Sequence, residues 1–315
     1  GTETYLPLYE AKMIWHFDHR YGDYSDLPLG SQSTQLPEVP VEKKLCPNYF
    51  PTGRYWVNLS QVKKALGSRQ SDNWFIGFRD ITNASNERTA ITSIFPVSSI
   101  SNKLPLIVPT MKKANLVQLV ADHSSFIHDY ISRQKMGGTS MNYFIAKQIS
   151  CLPPDVETQS YIDVKRHSLE LTYTAWDLED FAKDCGYNCP PFRWDEDRRF
   201  LLRCELDATF FHLYLGSQED WQKEGTTELL ESFPTPRDTV SHIMENFTIV
   251  KKRDIARTEV KDDSGKVIKE GTFITKDTIL SIYDDMAEAQ RTGQPYQTRL
   301  DPPPADPSCA HPPRA

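Results

Sequence analysis

The sequence predicts an α+β fold, a β-rich first half that also holds helices followed by a mainly helical C-terminal extension. Three observations carry this. Between residues 54 and 109, short runs rich in β-branched and aromatic residues alternate with Pro, Asn and Ser. From about residue 112 onward, apolar residues recur at three- and four-residue spacing. Charged residues make up 25% and apolar residues 38% of the 315, a globular balance with room for two domains or one large one.

Taken in order, "PLYEAKMIWHFDHRYGDY" at 7–24 packs two histidines, two cations, three acids and five aromatics into one stretch without amphipathic periodicity. Residues 25–53 hold five prolines and read as a surface loop. Strands are expected at 54–60, 73–81, 88–96 and 104–109, with a short helix, "SQVKKALG", closed by Gly67 between the first two. One long helix is expected from about Lys112, with Leu116, Leu119, Val120, His123, Ile127, Tyr130 and Ile131 on one face and Gly137-Gly138 as its stop. "SMNYFIAKQI" is a shorter helix ended by "CLPPD". Residues 168–186 read as a capped helix stopped by Gly186. Residues 195–216 form the strongest helical pattern, capped by Asp195, acidic in its first turn and terminated by Gly216. Thr235, Pro236 and Asp238 mark another helix start. A hairpin around Asp263-Ser264-Gly265 and a final amphipathic helix at 275–293 follow. The Pro-rich last fifteen residues are expected to be disordered. There is no internal repeat.

Composition narrows the function classes. No apolar run reaches the ~18 residues of a membrane helix, and the opening residues lack a signal-peptide shape, so a cytoplasmic protein without a membrane partner is expected. Opening on "GTETY" without Met, the chain reads as an expression fragment. Six scattered cysteines, at 46, 151, 185, 189, 204 and 309, fit reduced thiols better than a disulfide scaffold or a zinc site. Net charge is −7, but residues 1–150 carry 16 Lys and Arg against 12 Asp and Glu, and the remainder 20 against 31. A basic half joined to an acidic one suits a polyanion on one side and protein or solvent on the other. Phosphate-cradling glycine motifs and the H-E-x-x-H metal helix are missing. "NCPPF" and "DPPP" imitate the Asn-Pro-Pro-Tyr motif of DNA amino-methylases, but the first has Cys189 where the amine acceptor belongs and the second has no stacking aromatic. His16-Phe17-Asp18-His19 reads as structural rather than as a metal or acid–base site, because adjacent side chains diverge.

Four ordered blocks then point to a family. "PLYEAKMIWHFDHRYGDY" resembles the "PLYEGKM-x-x-x-FDHR" segment that follows the catalytic domain of large adenine-N6 DNA methyltransferases. Those enzymes include single-chain restriction–modification enzymes (types IIG and ISP) and methylases of related phage-defence systems. "WFIGFRDITNASNERTAI" resembles their "FR-x-I-x-x-x-x-N-x-RT", through Phe78, Arg79, Ile81, Asn86, Arg88 and Thr89. "LVADHSSFIHDYISRQKMGGTSMNYFIAKQISCLPP" resembles the close of a target-recognition domain, with His123 in place of the usual Asn. "RRFLLRCELDATFFHLYLG" and "LLESFP" resemble the C-terminal signatures, with Cys204 for a small Ala and an extra Leu215. The resemblance implies a DNA target-recognition domain over 1–155, a mainly helical extension with a small hairpin over 156–298, and a disordered tail over 299–315. It implies double-stranded DNA as partner, together with a methyltransferase domain of the same parent chain. S-adenosylmethionine is implied for the parent enzyme; no cofactor, metal or catalytic residue is expected in this fragment.

Such a module holds duplex DNA in register while another domain flips an adenine out. Cations on phosphates set register, and side chains at base edges read sequence. Lys43, Lys44, Lys63, Lys64, Arg69, Lys112 and Lys113 suit phosphate contact. Arg69, Gln70 and Asn73, on a polar tip between strands, suit base reading. Arg79, Asn86, Arg88 and Arg20 match positions shared by enzymes that read different sites, so they do not carry specificity. They either clamp backbone phosphate or, the preferred reading, pair with Glu10, Asp18, Asp80 or Glu87 as a structural lock. Arg133 and Lys135 end a helix beside two glycines, where phosphate contact and ordinary helix-dipole charge are both open. A rival reading from another class is a protein-docking module of a phage-defence complex without DNA contact. An exposed apolar patch on residues 160–290 with no basic cleft on 1–150 would favour it.

Overall fold

The computed structural model describes residues 3–28, 30–31, 35–67, 73–108, 116–153 and 161–314. It is a mixed α+β chain, with small sheets in the N-terminal half and mostly helices in the C-terminal half. In the first half, β1 (Tyr5–Tyr9), α1 (Val41–Lys44), β2 (Trp56–Asn58), α2 (Leu59–Leu66), β3 (Trp74–Phe78), β4 (Thr92–Pro96), β5 (Ser99–Ile100) and β6 (Leu106–Ile107) precede α3 (Leu116–Ser124), α4 (Phe126–Lys135) and α5 (Tyr143–Ala146). Then come α6 (Val164–Thr172), α7 (Glu179–Asp184), α8 (Glu196–Leu215), α9 (Gln218–Glu224), α10 (Thr227–Ser232), α11 (Pro236–Glu245) and α12 (Thr248–Thr258). The β7–β8 hairpin (Val260–Lys261, Val267–Lys269) and α13 (Ile274–Thr292) follow.

Two small sheets have the strand orders β2-β1-β5 and β4-β3-β6. All five residues of β3 are buried, because strands pair with it on both edges and helices cover it. The main apolar cluster runs from Phe17 to Ala310 and draws on both halves of the chain, with α8 packed against α13, α6 and α4.

Caps stand where the sequence places them. Asp195 accepts from Arg198 N at 3.0 Å, and Thr235 with Asp238 closes a capping box around Pro236. Gly293 ends α13 in the left-handed conformation.

Three expectations differ from the structure. The single helix expected from Lys112 is two helices, broken at Ser125. Ser125 is extended (φ −73°, ψ 154°) and its hydroxyl accepts from His128 N, a local bond that competes with continuing the helix. Asp207 of α8 takes the freed Phe126 N–H at 2.7 Å. The helix expected over 168–186 is also interrupted. α6 stops at Thr172, and Tyr173 turns its carbonyl to Phe192 N at 2.9 Å before a 3-10 turn leads into α7. Lastly, the C-terminal segment expected to be disordered is held in place. Ala310 is buried and bridges Phe192, Arg193 donates to the carbonyls of Ser308 and Ala310, and Arg198 donates to that of Pro302. A proline-rich segment has no core of its own, but its carbonyls accept freely, and here they borrow donors from the start of α8 and the residues before it.

Candidate nucleic-acid interface

The opening stretch is a brace. Trp15 and Asp18 exchange backbone hydrogen bonds at 2.8 and 3.0 Å, so His16 and Phe17 form a two-residue turn. Phe17 takes φ 55°, a left-handed conformation unusual for a bulky residue, while its ring is buried in the main cluster. His19 reaches Asp177 at 2.9 Å. Arg20 is fully buried, donating to the carbonyls of Lys44, Cys46 and Thr174 at 2.9, 3.0 and 3.2 Å. Lys44, expected at the surface for phosphate contact, is instead buried, its ammonium 2.6 Å from Asp18 and over the Trp194 ring. Burial opposes the charge of Asp18, but the adjoining Lys44 outweighs it and holds the carboxyl below its usual range.

The other motif arginines are also occupied by the protein. Arg79 donates to Ile14 O and lies over Trp15, and burial pulls its pKa down to about 10. Arg88 donates from Nε to Asp129 at 2.7 Å and from one Nη to Ser124 O and Ser125 O at 2.6 and 2.9 Å. Arg133 shares Asp129 at 3.2 Å and reaches the carbonyls of Asn86 and Glu87 at 2.9 and 2.8 Å. The lock is therefore built, but with different partners from those expected: Asp129 and backbone carbonyls take the place of Glu10, Asp80 and Glu87, and Asp18 pairs with Lys44. Distant carbonyl acceptors leave no trace in a sequence, which is why the partners were missed. Arg199 of α8 completes the set, donating to Leu171 O at 2.6 Å and to Phe17 O at 3.2 Å.

Of the remaining expected contacts, Lys43 pairs with Asp26 at 2.7 Å. Lys63 and Lys64, in the last turn of α2, are exposed. Among the described residues neither has an ion pair. Asn73, just ahead of β3, Asn86 and Lys135 are exposed as well. Arg69 and Gln70, as well as Lys112 and Lys113, lie outside the described residues. Tyr55 and Trp56, absent from the expected contacts, are exposed where edge strand β2 leads into α2. Two adjacent aromatic residues, Tyr55 just before β2 and Trp56 its first, were the available signal.

A cavity of about 360 Å³ lies among the Trp15–Asp18 turn, the start of α4, α8 and α12. It is lined by His16, Arg88, Arg203, Asp207, Arg253 and Arg257, among others. Three of these arginines were also missed, since they stand in the acidic half of the chain. Among the described residues no group of three or more His, Cys, Asp or Glu could hold a metal ion, and no helix is long and apolar enough to cross a membrane.

Comparison with protein-family models, curated proteins and solved structures finds no match to this chain.

Proposed function

We propose that this chain is the double-stranded DNA recognition module of an adenine-N6 DNA methyltransferase or restriction–modification enzyme. It positions duplex for a catalytic domain of the parent protein, which would carry the S-adenosylmethionine chemistry. The observation that carries this reading is how the four motif blocks join. Arg79 ties the second block to the first through Ile14 O. Arg88 and Thr89 N tie the second to the third through Asp129. Asp207 ties the fourth to the third through Phe126 N, and Arg199 ties the fourth to the first through Phe17 O. The four blocks that carry the resemblance are thus joined in one closed ring of hydrogen bonds. That is what is expected of a scaffold shared by enzymes reading different sites.

With those arginines consumed as braces, duplex contact falls to exposed groups: Lys63 and Lys64 on α2, Asn73 before β3 and Lys135 at the end of α4. Phosphate neutralisation by the lysines sets register, and the residues between α2 and β3 read bases. Charge reversal tests this. Lys63→Glu with Lys64→Glu leaves the fold intact, since neither side chain is buried, and lowers affinity for random duplex by at least ~10-fold at low salt. Unchanged affinity in an electrophoretic or anisotropy titration would remove α2 from the interface. The docking alternative has narrow support: among the described residues of 161–290, the large exposed apolar side chains are Val260, Val267 and Ile268 of the β7–β8 hairpin.

A further inference from the structure

The cavity between the Trp15–Asp18 turn and the second half of the chain holds a polar group with nothing to bind. His16 is only 4% exposed, and neither ring nitrogen has a hydrogen-bond partner among the described residues. Leaving such a group unpaired costs about 1–3 kcal/mol, so its position facing a cavity calls for an occupant. Beside it, Arg203 of α8 is half-buried and, among the described residues, makes no hydrogen bond or ion pair. Arg253 and Arg257 of α12 line the same cavity, with Arg253 paired to Glu87 and Arg257 3.4 Å from Asp254. Arg88 closes it from the first half, its Nε and one Nη already engaged and the other Nη without a hydrogen bond among the described residues.

We propose that this cavity is a binding site for a phosphate-class oxyanion, free or as the phosphate of an ester. The charge balance favours it. Glu87 and Asp254 are each matched by an arginine, and Asp129 matches Arg88, which leaves Arg203 as surplus positive charge. Asp207 is the remaining acid in the lining; burial lifts its carboxyl to about 7, so near neutral pH its negative charge is only partly present and the protonated form can donate. Burial first, and then the charges of Arg88, Arg79 and Arg203, hold the His16 imidazole neutral, so it offers one N–H donor and one acceptor. A hydrogen phosphate presents both complements, and guanidinium forks match its oxygens.

The proposal goes beyond DNA recognition, since Arg203, Arg253 and Arg257 have no part in the duplex contacts assigned above. Titrating orthophosphate into the full chain at constant ionic strength, with chloride as control, should give saturable heat for a single site. Arg203→Gln should weaken it at least ~10-fold, the loss of one charge-assisted hydrogen bond. Arg203→Lys should recover part of it, and the melting temperature without phosphate should not move, because Arg203 makes no hydrogen bond or ion pair among the described residues. If Arg203→Gln misfolds, Arg257→Gln replaces it, a position 59% exposed at the cavity mouth, and the same weakening is expected. Adding short duplex separates the two sources: displacement of phosphate identifies an ester of the nucleic-acid backbone, and coexistence identifies a free anion. No saturable phosphate heat, or variants that bind as tightly as the parent chain, would overturn the assignment.

Discussion

Asp129 is fully buried and takes hydrogen bonds from Arg88 Nε, Thr89 N and Arg133 Nε, joining two stretches of chain about forty residues apart. Removing one partner of such a group strands the rest. Arg88→Ala should therefore destabilise the chain by about 3–5 kcal/mol, seen as a large fall in melting temperature. Unchanged melting accompanied by lost DNA binding would mean that Arg88 grips phosphate instead. Asp122 behaves differently. It is 1% exposed, accepts from Leu152 N at 2.8 Å and Tyr214 Oη at 2.9 Å, and burial lifts its carboxyl to about 7. A raised carboxyl binds its proton more tightly folded than unfolded. Its contribution to stability is therefore complete below the ordinary carboxylate pKa, near ~4, and is lost as pH rises to about 7. Over that window the parent chain should lose stability relative to Asp122→Asn, by at most about 1.4 kcal/mol per pH unit. Parallel melting curves from pH 4 to 8 would show that Asp122 is ionised in the fold.

At the scale of elements, the C-terminal segment makes the sharpest case. Deleting residues 301–315 uncovers Phe192 and strips acceptors from Arg193 and Arg198, so it should cost at least about 2 kcal/mol, with a fall in melting temperature. A tail without fixed structure would be lost without effect. What was legible beforehand were elements whose signal is local. α8 carries its own start and stop residues in Asp195 and Gly216, α11 its start in Thr235-Pro236 and α13 its stop in Gly293. The break at Ser125, the halt of α6 at Thr172 and the docking of the tail depend on partners far along the chain: Asp207, Phe192 and Arg193. α9, α10 and α12 went unread, because they carry few buried side chains. The candidate site divides in the same way. Exposed Lys63 and Lys64 follow from an amphipathic turn, whereas the burial of Lys44 against Asp18 needs a fold to bring residues 18 and 44 together.

Across the whole molecule, charge is divided against itself. The first 150 residues carry a small positive excess and the rest a larger negative one, while the main core runs through both. In this account the braces that weld the two halves spend the motif arginines internally, and a few exposed cations are left to meet the duplex. Binding should then be weak, independent of sequence in its larger part, and governed by released counterions. The most direct measurement is the affinity of the chain for random duplex as a function of salt. A linear fall of log K with log salt is expected, with a slope smaller by about 2 when Lys63 and Lys64 are neutralised. Absence of binding at low salt, or a slope indifferent to those two lysines, would contradict it.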